Sequence, residues 1–160
     1  LAKVGIRHDS TWDVPEPEFT LAINRRGEIF GHTIGNDMSS RSIEGENPLY
    51  LPQAKSYTGA CAIGPCLVVG ETPPLETRIS ITIRREDAVV FSGETALDQI
   101  KRSFQELAGF LFRCNDFEHG AYLMTGTGIV PDSDFTLNVG DEISIAIEGI
   151  GTLTNTVETV

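Results

Sequence analysis

Cationic residues are scarce in this chain: 12 Lys and Arg stand against 23 Asp and Glu, for a formal charge of −11 over 160 residues. That imbalance argues against nucleic acid and anionic membrane surfaces as partners, because both are bound mainly through basic side chains. It leaves an anionic small molecule open, since the few Lys and Arg inside a pocket, with any metal there, set the local field. Cysteine is also sparse. Cys61, Cys66 and Cys114 are odd in number and lack zinc-ribbon spacing, so they are expected as reduced, buried small residues of a cytoplasmic protein. The three histidines, His8, His32 and His119, show no spacing that marks a triad, and they are expected at the surface or behind a site. No apolar run approaches the roughly 18 residues of a membrane-crossing helix. Thr125-Gly126-Thr127-Gly128 is not a P-loop, and Ser39 and Ser40 lack a nucleophile-elbow context.

Carboxylates, by contrast, are abundant, and four positions stand out: Glu16 and Glu18 in V-P-E-P-E, Asp37 in G-N-D-M-S-S-R, and Lys55 in L-P-Q-A-K. Pro15 and Pro17 fix their own φ and keep Val14 and Glu16 out of the helical region, so the segment is extended. Side chains alternate along an extended chain, which puts Glu16 and Glu18 on one face about 7 Å apart at Cα. Asp37 closes an alternating run from Ile29 to Ile34, where Gly35-Asn36 signals a turn, so it is expected at a strand's exit. A hairpin through Asn24-Arg25-Arg26-Gly27 would return Asp37 beside Glu18. Three hard oxygen ligands then face one point, a set suited to Mg²⁺, with Mn²⁺ or Ca²⁺ as substitutes; zinc is disfavoured by the lack of spaced His or Cys. Accidental carboxylate pairs are common in so acidic a chain, and an Asp before Met-Ser-Ser is often only a helix cap.

Strand signals dominate the rest. Residues 19–24, 29–34, 61–69, 78–84, 88–92, 122–125, 142–147 and 152–157 alternate or are rich in β-branched residues between Gly, Pro or Asp breakers. One long helix is expected from Ala96 to Arg113, with Thr95 as N-cap and Asn115 as stop. Residues 39–52 read as a short helical turn plus loop. No repeat, low-complexity tract or interdomain linker interrupts the chain. It is expected to form a single catalytic domain over residues 1–160, mainly β with α+β character. The absence of an initial Met, with Val14 opening the first recognisable element, suggests the C-terminal part of a longer chain.

The strings D-S-T-W-D-V-P-E-P-E (9–18), G-H-T-I-G-N-D-M-S-S-R (31–41), I-E-G-E-N-P-L-Y-L-P-Q-A-K (43–55) and L-M-T-G-T-G-I-V-P (123–131) resemble the fumarylacetoacetate hydrolase family over nearly the whole chain. The spacings, 19 residues from Glu18 to Asp37 and 18 from Asp37 to Lys55, are most similar to its 2-keto-3-deoxy-pentonate dehydratase branch. The resemblance implies a mixed β-sandwich roll with one long packed helix and a homodimer or larger assembly. It implies Mg²⁺ on Glu16, Glu18 and Asp37, with Lys55 in the same pocket. It further implies substrate contacts from Arg41, Thr127, Gly126 and Ser39. Glu44 stands where hydrolases of the family often carry glutamine, and Ser42 where many members have aspartate, which suggests a weaker local cap.

Charge accounting then suggests a chemistry. Three carboxylates and Mg²⁺ sum to −1, Lys55 restores neutrality, and Arg41 is left free for a substrate carboxylate. A 2-keto acid polarised by the ion has an acidified methylene, and Lys55, its pKa lowered by burial beside a cation, takes the proton. Loss of water from a 2-keto-3-deoxy sugar acid such as 2-keto-3-deoxy-D-arabinonate, giving 2-oxoglutarate semialdehyde, is the expected reaction. The alternatives are a C–C hydrolase or decarboxylase of acylpyruvate or β-diketo acids, and a ligand-binding protein without activity.

Overall fold

Two β-sheets facing one another form the frame of the molecule, described over residues 2–160 in this computed structural model. The first strand, β1 (Ala2–Ile6), is followed by two long strands, β2 (Asp13–Ile23) and β3 (Ile29–Ser40). Two short helices, α1 (Arg41–Glu46) and α2 (Leu51–Lys55), lead into β4 (Cys61–Val69). Then come β5 (Arg78–Arg85), β6 (Ala88–Ala96), α3 (Phe104–Leu111), β7 (Ala121–Met124), β8 (Glu142–Ile147) and β9 (Gly151–Thr159). One sheet runs β1-β9-β8-β5-β6 and the other β4-β3-β2-β7; the β1–β9 pairing is parallel. No helix among the described residues is long and apolar enough to cross a membrane.

Alternation explains the core. Phe19, Leu21 and Ile23 of β2 and Ile34 and Met38 of β3 point inward, against Ile79, Ile81, Ile83, Ile143, Ile145 and Ile147 of the other sheet. Residues one step out of phase, Glu16 and Glu18 among them, therefore face away from the core on the outer side of the four-stranded sheet. The Asn24–Gly27 turn forms as its sequence suggests: Gly27 adopts φ 79°, and its N–H donates to the Asn24 carbonyl at 2.9 Å.

The structure corrects several expectations. Gly35-Asn36 is not a turn, and Asp37 lies within β3, which continues to Ser40. A Cβ at Gly35 would collide with the Thr20 hydroxyl and lie 2.9 Å from Met124 Cε, so glycine serves strand packing there. Asn36 is fully buried, and its amide donates to Asn155 Oδ1 at 3.2 Å across the two sheets. The long helix shrinks to α3, because Ala96 still pairs with Arg78 in the sheet and a 3₁₀ turn over Leu97–Gln99 intervenes. Ser103, not Thr95, is the N-cap, accepting from the Glu106 N–H at 3.2 Å. The three cysteines are unpaired but exposed rather than buried, two of them on the edge strand β4. His32 is 4% exposed and packs against the Phe19 ring at 5.2 Å on the core side, away from the carboxylates.

Candidate active site

The β2–β3 register builds the site. Glu16 lies directly opposite Asp37, and Glu18 opposite Gly35, so Asp37 is the cross-strand neighbour of Glu16 and the diagonal neighbour of Glu18. One oxygen from each of Glu16, Glu18 and Asp37 comes within 4.8 Å of the others, close enough to share one ion. Glu16 and Glu18 are buried, at 7% and 4% exposure. Burial pushes the Glu18 carboxyl up from 4.5 to about 7; the Gly126 N–H that donates to it opposes this, and the Asp37 and Glu16 charges add to it. Burial likewise raises Asp37, against the pull of Lys55.

Lys55, the last residue of α2, reaches into this cluster. Its ammonium donates to Glu16 Oε2 at 2.7 Å, to Asp37 Oδ2 at 2.8 Å and to Ser39 Oγ at 2.6 Å. Burial alone would lower its pKa, but the hydrogen bonds to Asp37 and Glu16 outweigh it and the pKa is raised. The expected lowering is thus reversed, because the same carboxylates that converge on the site hold the lysine as a cation. Arg41 is not free either: it donates to Glu16 Oε1 at 2.7 Å and to Glu44 Oε2 at 3.3 Å.

Glu44, whose part the sequence left open, therefore joins the cluster as a fourth carboxylate. Four carboxylates then face the two cations Lys55 and Arg41, a formal −2 that one divalent cation would neutralise. Hard oxygen donors, partial burial and that charge fit Mg²⁺ on Glu16, Glu18 and Asp37.

Ser39 sits on the lysine and donates to the Asp37 carbonyl at 3.3 Å. The Thr127 hydroxyl is engaged by its own turn, donating to the Ile129 carbonyl at 3.0 Å and accepting from the Ile129 N–H at 3.2 Å. Gly126 and Thr127 also line a cavity of about 150 Å³ with Thr95, Gln99, Lys101 and Arg102. Ser10 and Ser42 contact each other 32 residues apart (2.9 Å) at the entry to β2, a pairing the sequence did not suggest. No local pattern marks such a pair.

A two-sheet fold that carries converging carboxylates and a lysine on the outer face of one sheet defines a β-sandwich domain built around a polar, metal-suited cluster. The chain belongs to the fumarylacetoacetate (FAA) hydrolase C-terminal family, whose model matches residues 24–158. It is 52% identical to a protein of Haloferax volcanii described as a probable 2-keto-3-deoxyxylonate dehydratase, over 98% of this chain and 55% of that one. It is 41% identical to the 2-dehydro-3-deoxy-D-arabinonate dehydratase of Saccharolobus solfataricus, over 94% of this chain and 51% of that one. The solved structure of a 2-keto-3-deoxy-D-arabinonate dehydratase complexed with magnesium and 2,5-dioxopentanoate superposes with a TM-score of 0.96 at 40% identity, covering 99% of this chain and 57% of that one. The chain thus spans little more than half the length of these relatives.

Proposed function

We propose that this chain forms the carboxylate-bearing part of a Mg²⁺-dependent hydro-lyase. The substrate is a 2-keto-3-deoxy sugar acid such as 2-keto-3-deoxy-D-arabinonate, and the product is 2-oxoglutarate semialdehyde, which is 2,5-dioxopentanoate. The observation that carries this reading is Lys55, set 2.7 and 2.8 Å from two of three convergent carboxylates. The dehydratases among its relatives, one of them holding magnesium and 2,5-dioxopentanoate, support the substrate class.

Glu16, Glu18 and Asp37 would hold the ion, with Mn²⁺ or Ca²⁺ as substitutes. When bound, it supplies Lewis acidity to the keto oxygen and draws off the carboxylate charge that keeps Lys55 protonated. Lys55 Nζ then takes a proton from C3 as general base. The C3–H electron pair forms the C3–C4 double bond while the C4 hydroxyl departs as water, taking up the proton that Lys55 has received, and transfer of a C5 proton to C3 gives the C4–C5 enol that tautomerises to the C5 aldehyde. Arg41 offers its remaining N–H groups to the substrate carboxylate, for which a guanidinium's planar fork is suited. Ser39 keeps the Lys55 amine aimed. Gly126 fixes Glu18 through its N–H, and Thr127, beside it, reaches the substrate carboxylate or carbonyl once its hydroxyl leaves the Ile129 carbonyl. Exposed Ile63, Leu67 and Val69 along edge strand β4 support a homo-oligomer.

The test uses the full-length protein with Mg²⁺ or with EDTA on 2-keto-3-deoxy-D-arabinonate, its L-isomer and acetylpyruvate, following products by mass. The expected result is Mg²⁺-dependent loss of water from a pentonate. Cleavage of acetylpyruvate with both pentonates untouched would move the chain to C–C hydrolysis.

A further inference from the structure

Helix α1 has six residues and no buried side chain. So short a helix is not held by propensity, and its one large apolar side chain, Ile43, is only half-buried, yet its first residue is Arg41. Polar contacts fix its start. Ser40, which is fully buried, caps the helix by accepting from the Ile43 N–H at 3.4 Å, and it donates to Ser10 Oγ at 2.7 Å. Ser10 Oγ lies 2.9 Å from Ser42 Oγ, which also accepts from the Thr11 N–H at 3.1 Å. Alongside, the Arg41 and Ser42 N–H groups both donate to the Trp12 carbonyl, at 2.8 and 3.3 Å. Arg41 is therefore flanked by two serines tied to one hydroxyl.

We infer that Ser10 is a positioning residue: its hydroxyl, bridging Ser40 and Ser42, clamps the start of α1 to the entry of β2 and so aims the Arg41 guanidinium. Trp12 and Asp13 lead directly into the strand that carries Glu16, so the clamp ties the arginine to the carboxylate it pairs with at 2.7 Å. Ser42 thus ties two distant segments of the chain together in place of the weak local cap expected for it. The inference rests on the reading that Arg41 answers the substrate carboxylate.

The experiment is equilibrium binding of oxalate, a dicarboxylate mimic of a 2-keto acid, to the Mg²⁺-loaded full-length protein. In the Ser10→Ala variant oxalate binding should weaken about tenfold, the scale of removing one charge-assisted hydrogen bond. Mg²⁺ affinity should stay at the parent value, because Glu16, Glu18 and Asp37 are held by the β2–β3 register instead. Ser10→Thr, which keeps the hydroxyl, should restore binding. In a double-mutant cycle with Arg41→Gln, Ser10→Ala should add little further loss. Full additivity in that cycle, or Mg²⁺ and oxalate affinities falling together, would overturn the clamp. A parent protein that binds no oxalate with Mg²⁺ would overturn both the clamp and the role given to Arg41. Oxalate binding without turnover of any pentonate would overturn only the dehydratase reading.

Discussion

Replacing Lys55 with methionine in the full-length enzyme lowers kcat by about 10²–10⁴-fold, the range expected for loss of a general base. Methionine matches the lysine stem as far as Cε, with sulfur in place of Cδ, and removes the nitrogen that touches Glu16, Asp37 and Ser39. The same change strengthens Mg²⁺ binding, because the ammonium and the ion compete for the same carboxylate oxygens. Without the ion, K55M melts below the parent, since Glu16 and Asp37 then face each other with only Arg41 nearby to balance them. Added Mg²⁺ therefore raises the melting temperature of K55M by more than it raises the parent's. Turnover within tenfold of the parent would remove Lys55 from the role of base. Loss of both turnover and Mg²⁺ binding would make it a structural residue.

The second large effect is a dependence of metal affinity and stability on pH. Glu18 is raised from 4.5 to about 7 in the folded protein, chiefly by burial, so folding favours its protonated form. Its contribution to stability is fully present below about 4.5 and is lost as pH rises through about 7; at about 1.4 kcal/mol per pKa unit this is about 3 kcal/mol. Asp37 is displaced in the same direction. The metal-free protein should accordingly melt lower near pH 8 than near pH 5.5. A divalent cation must displace the Glu18 proton, so its affinity should climb about tenfold per pH unit up to about pH 7 and level off above. Calorimetric titration with Mg²⁺ across that range measures this. The Glu18→Gln variant, with no proton to displace, should bind weakly and lose most of the slope. A parent affinity that is flat below pH 7 would contradict the assignment of Glu18 as a ligand.

What the sequence made legible depended on the range of the interactions. Pro15 and Pro17 dictate an extended V-P-E-P-E whatever surrounds it, and the Asn24–Gly27 turn is local, so the carboxylate-bearing hairpin was legible. Its register was not. Glu18 was expected beside Asp37, whereas Glu16 occupies that place. Gly35-Asn36 misled because glycine and asparagine carry the same letters in a turn and in a crowded strand; here Thr20 demands the glycine and Asn155 accepts from the asparagine's amide N–H. β1 was missed since Ala2–Ile6 gains its partner only from β9, at the other end of the chain. The helix was overextended because Leu97 and Ile100 match its apolar period while filling the core from a 3₁₀ turn and a loop. Within the site, residue types pointed to the three carboxylates that converge. The ion pairs that reverse the expected shift of Lys55 and occupy Arg41 depend on packing between elements, which no spacing encodes.

The most direct test of the proposed metal centre is anomalous diffraction from crystals of the full-length protein grown with Mn²⁺. The expected result is a peak bonded to carboxylate oxygens of Glu16, Glu18 and Asp37, with Lys55 Nζ displaced from at least one of them. A peak coordinated by other residues, or none at these three under conditions that support turnover, would contradict it.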